Sequence, residues 1–153
     1  MAAASTVIPK SVQLEHHAIH SALEEAMKAP GRVGSAARAL AEVLHPHFVR
    51  EEEIALPPLG ALAPLAADVM PSEAAEILAM TDSLKRELPR MLEEHKQIRA
   101  AVDDLRAAAR AERVTRYEQL ADQLALHAQT EEEVLYPAAV LVGDIVRARR
   151  GRD

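Results

Sequence analysis

Two segments of this chain carry the same unusual arrangement of imidazole and carboxylate groups. His47-Phe48-Val49-Arg50-Glu51-Glu52-Glu53-Ile54-Ala55-Leu56-Pro57 and His127-Ala128-Gln129-Thr130-Glu131-Glu132-Glu133-Val134-Leu135-Tyr136-Pro137 each run His, three residues, Glu, two more Glu, and a proline ten residues after the His. On a helix, a His and a Glu four apart share a face, one turn of rise between them. One such pair inside an apolar stripe could be a buried hydrogen bond. Two matched pairs suggest two metal ions between facing helices.

Two further histidines complete the pattern. His16 lies in the stripe Val12, His16, Ile19, Leu23, Met27, and His95 lies in Leu84, Leu88, Met91, His95, Ile98, Val102, Leu105. His16 and His47 are 31 residues apart, His95 and His127 are 32 apart. Each half of the chain therefore reads as a helical hairpin with one His on its first helix and His-x3-Glu on its second. This internal repeat in polar positions predicts a site on a pseudo-two-fold axis between the halves.

His16, His47, Glu51, His95, His127 and Glu131 are the candidate metal ligands. A carboxylate can bridge two cations because it offers two oxygens, whereas an imidazole can only terminate. Two cations close together in a low-dielectric core repel, and bridging Glu carboxylates with an oxo or hydroxo ion would offset that repulsion. Nitrogen and oxygen donors without sulfur suit iron or manganese, with zinc as a third choice. Four separate buried imidazoles without a metal would each need its own hydrogen-bond partner. His20, one turn after His16, faces inward on this reading and is a candidate fifth ligand or a group behind the ligands. His17 and His45 fall off the stripe. Glu52, Glu53, Glu132 and Glu133 read as solvated faces, one of which could orient a ligating His. Arg99, one turn after His95, either pairs with a carboxylate near the site or reaches the surface. Tyr136 reads as packing beyond Glu131, with a proton-donor role as the alternative.

The elements that must position these groups are four amphipathic helices. The first starts near residues 9–11 and stops before Pro30-Gly31, and the second runs from Val33 or Ser35 to Leu56, with a kink expected at Pro46. Residues 57–71, with four prolines and a glycine, form a long connector apolar enough to lie across a bundle end. Ser72 is the expected N-cap of a helix through about Ala109 that can bend at Pro89. The fourth starts near Ala111 or Val114, stops at Pro137 and resumes as far as Ile145 and Val146. The prediction is an all-α, up-down-up-down four-helix bundle of one domain, residues 1–153, with its core in 12–140 and a flexible basic tail at 147–153.

Composition narrows the functions. The 153 residues are 49% apolar, with no Cys, no Trp, one Phe and two Tyr, and the formal charge is −6. A cysteine-free chain has no disulfide, thiolate chemistry, Cys-ligated iron–sulfur cluster or zinc finger. The few aromatics and the acidic balance argue against nucleic acid as a partner. Prolines interrupt the longest apolar run, residues 54–69, so no membrane span is expected. Residues 1–8 lack the positive start of a signal peptide, and a cytoplasmic location is expected.

Glu15-His16-His17-Ala18-Ile19, His47-Phe48-x-x-Glu51-Glu52, Glu94-His95-Lys96 and His127-x3-Glu131-Glu132-x3-Tyr136-Pro137 together resemble, in order, the four ligand segments of the hemerythrin-like (HHE cation-binding) domain. The resemblance covers roughly residues 12–140. It implies a hemerythrin-like bundle holding two iron ions, with His16, His47 and Glu51 as ligands from the first half and His95, His127 and Glu131 from the second. Oxygen-carrying hemerythrins take two His one turn apart from the third helix and an Asp after the fourth-helix His. Here Met91 and Arg99 stand at that spacing from His95, and the last carboxylate is Glu131. The four-His, two-Glu set is similar to the di-iron proteins implicated in repairing nitrosatively damaged iron–sulfur clusters, without their Cys-bearing domain. The expectation is a protein that binds or senses O2, NO or peroxide, a stress-response role included. The alternatives are an enzyme or repair factor fed by an electron-donor protein, and a structural or storage metal bundle.

Overall fold

The computed structural model describes residues 7–152. The expectation for residues 1–8 lies mostly outside them. Six α-helices occur among the described residues: α1 (Lys10–Met27), α2 (Gly31–Ile54), α3 (Leu62–Ala66), α4 (Ala74–Glu112), α5 (Thr115–Thr130) and α6 (Tyr136–Arg150). α1, α2, α4 and the continuous α5–α6 rod make an all-α four-helix bundle. The long helices pack in a ring, α1 on α2, α2 on α4, α4 on α5 and α5 on α1, while α6 lies along the first half of α4.

The apolar periodicity explains the packing. Each long helix buries one stripe, and the stripes assemble two apolar layers with a polar one between them. On one side Ile19, Leu23, Leu40, Leu44, Ile98, Val102, Leu120 and Leu124 pack together; on the other are Ile54, Leu56, Leu59, Leu84, Met91 and Tyr136. The buried His16, His47, Glu51, His95, His127 and Glu131 occupy the level between. At the far end Leu65, Ile77, Val142 and Val146 form a third cluster under the connector.

Several sequence expectations change. α2 starts at Gly31, whose φ of +71° suits glycine, and Glu112 at the end of α4 accepts a 2.6 Å hydrogen bond from the Arg32 N–H. This ties the α1–α2 turn to the α4–α5 turn. Ser72 does not cap α4; Glu73 precedes its first residue, and no side chain makes a capping hydrogen bond there. As expected, the helices continue through Pro46 and Pro89. The connector is ordered, with a 3₁₀ turn at Pro57–Ala61 followed by α3, and Pro57, Pro58, Leu59 and Leu65 are buried.

Pro137 does not stop the last helix. A π turn, Glu131–Leu135, widens the helix just before it, so the rod continues through Arg150 with Pro137 in the first turn of α6. The basic segment expected as a tail is therefore helical to Arg150, and its Arg147 pairs with Asp82 at 2.8 Å. None of the described helices is long and apolar enough to cross a membrane.

Gly143 lies where α6 passes close to α4. A Cβ there would collide with Oγ1 of the buried Thr81 and lie 2.6 Å from its Cβ. Gly143→Ala is expected to destabilise the bundle by about 1–3 kcal/mol, the usual cost of overpacking. Gly151→Ala, where the nearest heavy atom is 3.5 Å away, should leave the thermal midpoint almost unchanged. Paired thermal melts check both.

Candidate metal centre

α1 presents His16, α2 presents His47 and Glu51, α4 presents His95, and the α5–π turn presents His127 and Glu131. Donor atoms from these residues fall into two groups: His16, Glu51, His127, Glu131 and His47, Glu51, His95, Glu131, with the atoms of each group within 4.8 Å of one another. Both carboxylates belong to both groups. Glu51 turns Oε1 to His47 Nε2 at 2.9 Å and Oε2 toward His16 Nε2 at 4.0 Å. Glu131 Oε1 lies 3.4 Å from the Nε2 atoms of both His95 and His127, and its Oε2 lies 3.7 Å from His16 Nε2.

The orientation of the imidazoles comes from a rim of carboxylates. His47 Nδ1 donates to Glu94 at 3.2 Å, His95 Nδ1 donates to Glu132 at 2.9 Å, and His127 Nδ1 donates to Glu15. His16 Nδ1 lies 3.8 Å from Glu52. A proton held on Nδ1 by a carboxylate leaves the Nε2 lone pair pointing at the centre, the tautomer a metal requires. The rim obeys the internal repeat. Glu15 and Glu94, each preceding a His, reach across to the other hairpin; Glu52 and Glu132, each following the central Glu, face a His of their own hairpin.

The backbone repeats as well. Leu56 N–H donates to the Glu51 carbonyl at 2.9 Å, and Tyr136 N–H donates to the Glu131 carbonyl. Both are five-residue, π-type bonds beginning at the central Glu, a distortion common at functional sites. Only the second copy adds a hydroxyl. Tyr136 is buried with its OH 3.2 Å from His47 Nε2 and 3.1 Å from His95 Nε2, whereas its counterpart Leu56 is apolar.

The centre is short of positive charge and of donors. His47 Nε2 and His95 Nε2 face each other at 2.9 Å, an arrangement of two lone pairs that a shared proton or a cation must reconcile. Among the described residues, six buried side-chain atoms have no aligned hydrogen-bond partner: both ring nitrogens of His16, both oxygens of Glu51, His127 Nε2 and Glu131 Oε2. Orphaned buried polar atoms are rare in native proteins. His16 Nδ1 faces the rim at Glu52, and the other five lie at the level of the centre and are all nitrogen or carboxylate oxygen, so the donor set fits a pair of metal ions.

Electrostatics reinforce this. Burial pushes the His95 and His127 imidazoles below their usual range, against the opposing pull of Glu132 and Glu15. Burial also opposes the charged form of His47, but the Glu51 and Glu94 carboxylates outweigh it and raise its value. Burial and the nearby carboxylates hold Tyr136 far above the usual phenol range, as a neutral donor. Glu132 is held below the carboxylate range despite its burial, because Arg99 and His95 hydrogen-bond to it.

The other singled-out residues are also located. Arg99 is 39% exposed and reaches Glu132 at 2.8 Å, so it acts on His95 through that carboxylate. His20 does not face inward as expected. It is 47% exposed and pairs with Glu24 at 3.1 Å, because the buried line of α1 passes through His16, Ile19, Leu23 and Ala26. Glu15, Glu94 and Phe48, which stacks on His16 with ring centroids 4.3 Å apart, are the functional neighbours that sequence reasoning did not single out. The matched Glu-His dipeptides at 15–16 and 94–95 were the available signal for two of them.

Residues 87–152 match the family model described as the hemerythrin HHE cation binding domain. The match contains His95, His127 and Glu131; the internal repeat extends the pattern to His16, His47 and Glu51. No curated protein and no solved structure matches the chain. Removing a rim carboxylate should loosen metal binding without unfolding the bundle. Glu94→Ala is expected to weaken metal affinity about 10–100-fold, the usual effect of losing an orienting partner. Glu93→Ala, which only breaks a surface pair with Lys96, should not. Competition with a chromophoric chelator reads the difference.

Proposed function

We propose that this chain is a single-domain, non-haem di-iron protein that binds or senses a small diatomic or peroxide ligand: O2, NO or H2O2. In this reading His16 and His127 would hold one ion and His47 and His95 the other, with Glu51 and Glu131 available to both. The observation that carries it is the pair of buried His2Glu2 groups sharing both carboxylates, where His16 Nε2, His127 Nε2, Glu131 Oε2 and the Glu51 oxygens have no aligned hydrogen-bond partner. Four protein donors for each ion are fewer than octahedral iron accepts, which leaves room for an exogenous ligand.

Iron held there would supply reversible electron donation to the small ligand. The protein's own part is binding, orientation and proton control. Glu15, Glu94 and Glu132 hold the Nδ1 protons of His127, His47 and His95, and with them the direction of each Nε2 lone pair. Glu51 and Glu131 contribute the negative charge that two cations need in an apolar core. The Tyr136 hydroxyl, close to His47 and His95, is a neutral proton donor at the centre. The apolar layers on either side exclude bulk water.

Oxygen carriage with five histidines is not favoured. His20 points away, Met91 is packed in an apolar layer, and Arg99 engages Glu132. Turnover of peroxide or repair of iron–sulfur clusters would require a protein partner as electron donor, since the sequence carries no Cys, haem or flavin motif.

The double variant His95→Ala/His127→Ala is expected to lose half or more of the iron found in wild-type protein from iron-replete cells, while circular dichroism keeps its helical signal. Unchanged iron content would contradict the assignment. In the wild-type protein, iron absorbance should respond to O2, NO or peroxide. Zinc with no spectral response would contradict a redox role.

A further inference from the structure

The chain has seven histidines, and four of them face the buried centre. The other three, His17, His20 and His45, all line one concavity of about 340 Å3 between α1 and α2, whose inner wall is His16 and Phe48. An adjoining hollow of about 520 Å3 shares His20, His45 and Phe48 and adds Glu24 and Glu42. His20 Nε2 is 3.1 Å from Glu24 Oε1, and the rings of His20 and His45 have centroids 6.2 Å apart. Two imidazoles sharing one ion at about 2.1 Å from each nitrogen have centroids roughly 5 Å apart. All three side chains are exposed, so a small rotation of either ring closes that gap.

The surrounding charge favours a cation. Glu24, Glu42 and Glu52 border the concavities, while the guanidinium of Arg38 is turned to the Met27 carbonyl at 2.8 Å. Glu52 spans the remaining distance: it is 53% exposed and its carboxylate is 3.8 Å from His16 Nδ1. The Phe48 ring stacked on His16 is an apolar barrier beside this path. The pseudo-symmetry supplies a control. On the second hairpin the positions equivalent to His17 and His20 are Lys96 and Arg99, and Arg99 clamps Glu132, the counterpart of Glu52. That face carries Lys96 and Arg99 where this one carries two imidazoles.

We propose that His20, His45 and Glu24 form an exposed site for a divalent transition-metal ion, and that metal reaches the buried groups across this face by way of Glu52. The second half rests on the di-iron reading above; the first half does not. Imidazole with carboxylate suits Fe2+, Mn2+, Ni2+ or Zn2+, and an exposed site with few protein ligands holds the ion loosely enough to release it inward.

The test compares the wild-type chain with His20→Ala/His45→Ala, two exposed positions outside the packed stripes. Protein already loaded with iron is titrated with Ni2+: wild type is expected to take up one additional nickel ion, the variant none. Metal-free protein is then loaded anaerobically with Fe2+. The variant should reach the same final iron content about tenfold more slowly, the lower end of the rate gain from a focusing cleft. Equal nickel binding by both proteins, or none by wild type, overturns the exposed site. Equal loading rates overturn the path. If wild type takes up no iron at all, the buried-centre reading fails instead, and nickel titration of His95→Ala/His127→Ala with and without the two exposed substitutions still decides the exposed site.

Discussion

Two carboxylates, Glu51 and Glu131, sit in the interior of a small bundle with almost no exposure. Taking an ionised carboxylate out of water costs several kcal/mol even after the protein relaxes, unless opposite charge compensates it. The obvious compensators, four imidazoles at the same level, are constrained from outside. Rim carboxylates hold protons on the Nδ1 atoms of His47, His95 and His127, which turns lone pairs rather than protons toward the centre. Acceptors thus face acceptors, an arrangement that a shared proton or a cation reconciles and whose donor set could hold a pair of metal ions. The rest of the structure serves that constraint. Apolar layers on both sides fix the height of the polar level, and π-type turns at Glu51 and Glu131 let each carboxylate project inward while the helix carries on or ends.

The repeat builds the centre, and departures from the repeat give it two different sides. The second hairpin adds the Tyr136 hydroxyl where the first has Leu56, and Arg99 where the first has His20. The first hairpin adds Phe48, stacked on His16, where the second has Ala128. One face is consequently tied down by a guanidinium–carboxylate–imidazole chain. The other is a hollow lined with imidazole and carboxylate groups. The two buried His/Glu groups therefore share their carboxylates but have unequal surroundings.

Much of this was legible in the sequence, because helical periodicity and the His-x3-Glu spacing are local properties. The inward set His16, His47, Glu51, His95, His127 and Glu131 followed from positions within stripes, and the bundle followed from the stripes themselves. The pairings of Glu15 with His127 and Glu94 with His47 join opposite hairpins, so they depend on which helices are neighbours, and no local pattern encodes that. His20 was misplaced for a related reason. It borders the buried line of α1, and exposure at such an edge is set by how far away α2 lies. Pro137 looked like a stop because proline cannot donate the helical hydrogen bond, but the wider π turn ahead of it accommodates the ring. Ser72 looked like a cap by residue type alone, whereas the chain leaves the connector one residue later.

Iron K-edge X-ray absorption on protein purified from iron-replete cells tests the central claim most directly, because it counts neighbours of the metal rather than inferring them. Two iron ions per chain are predicted, each surrounded only by nitrogen and oxygen, with an iron–iron scattering distance of roughly 3–4 Å. A single iron per chain, or two without metal–metal scattering, would contradict a centre in which Glu51 and Glu131 are shared by both ions.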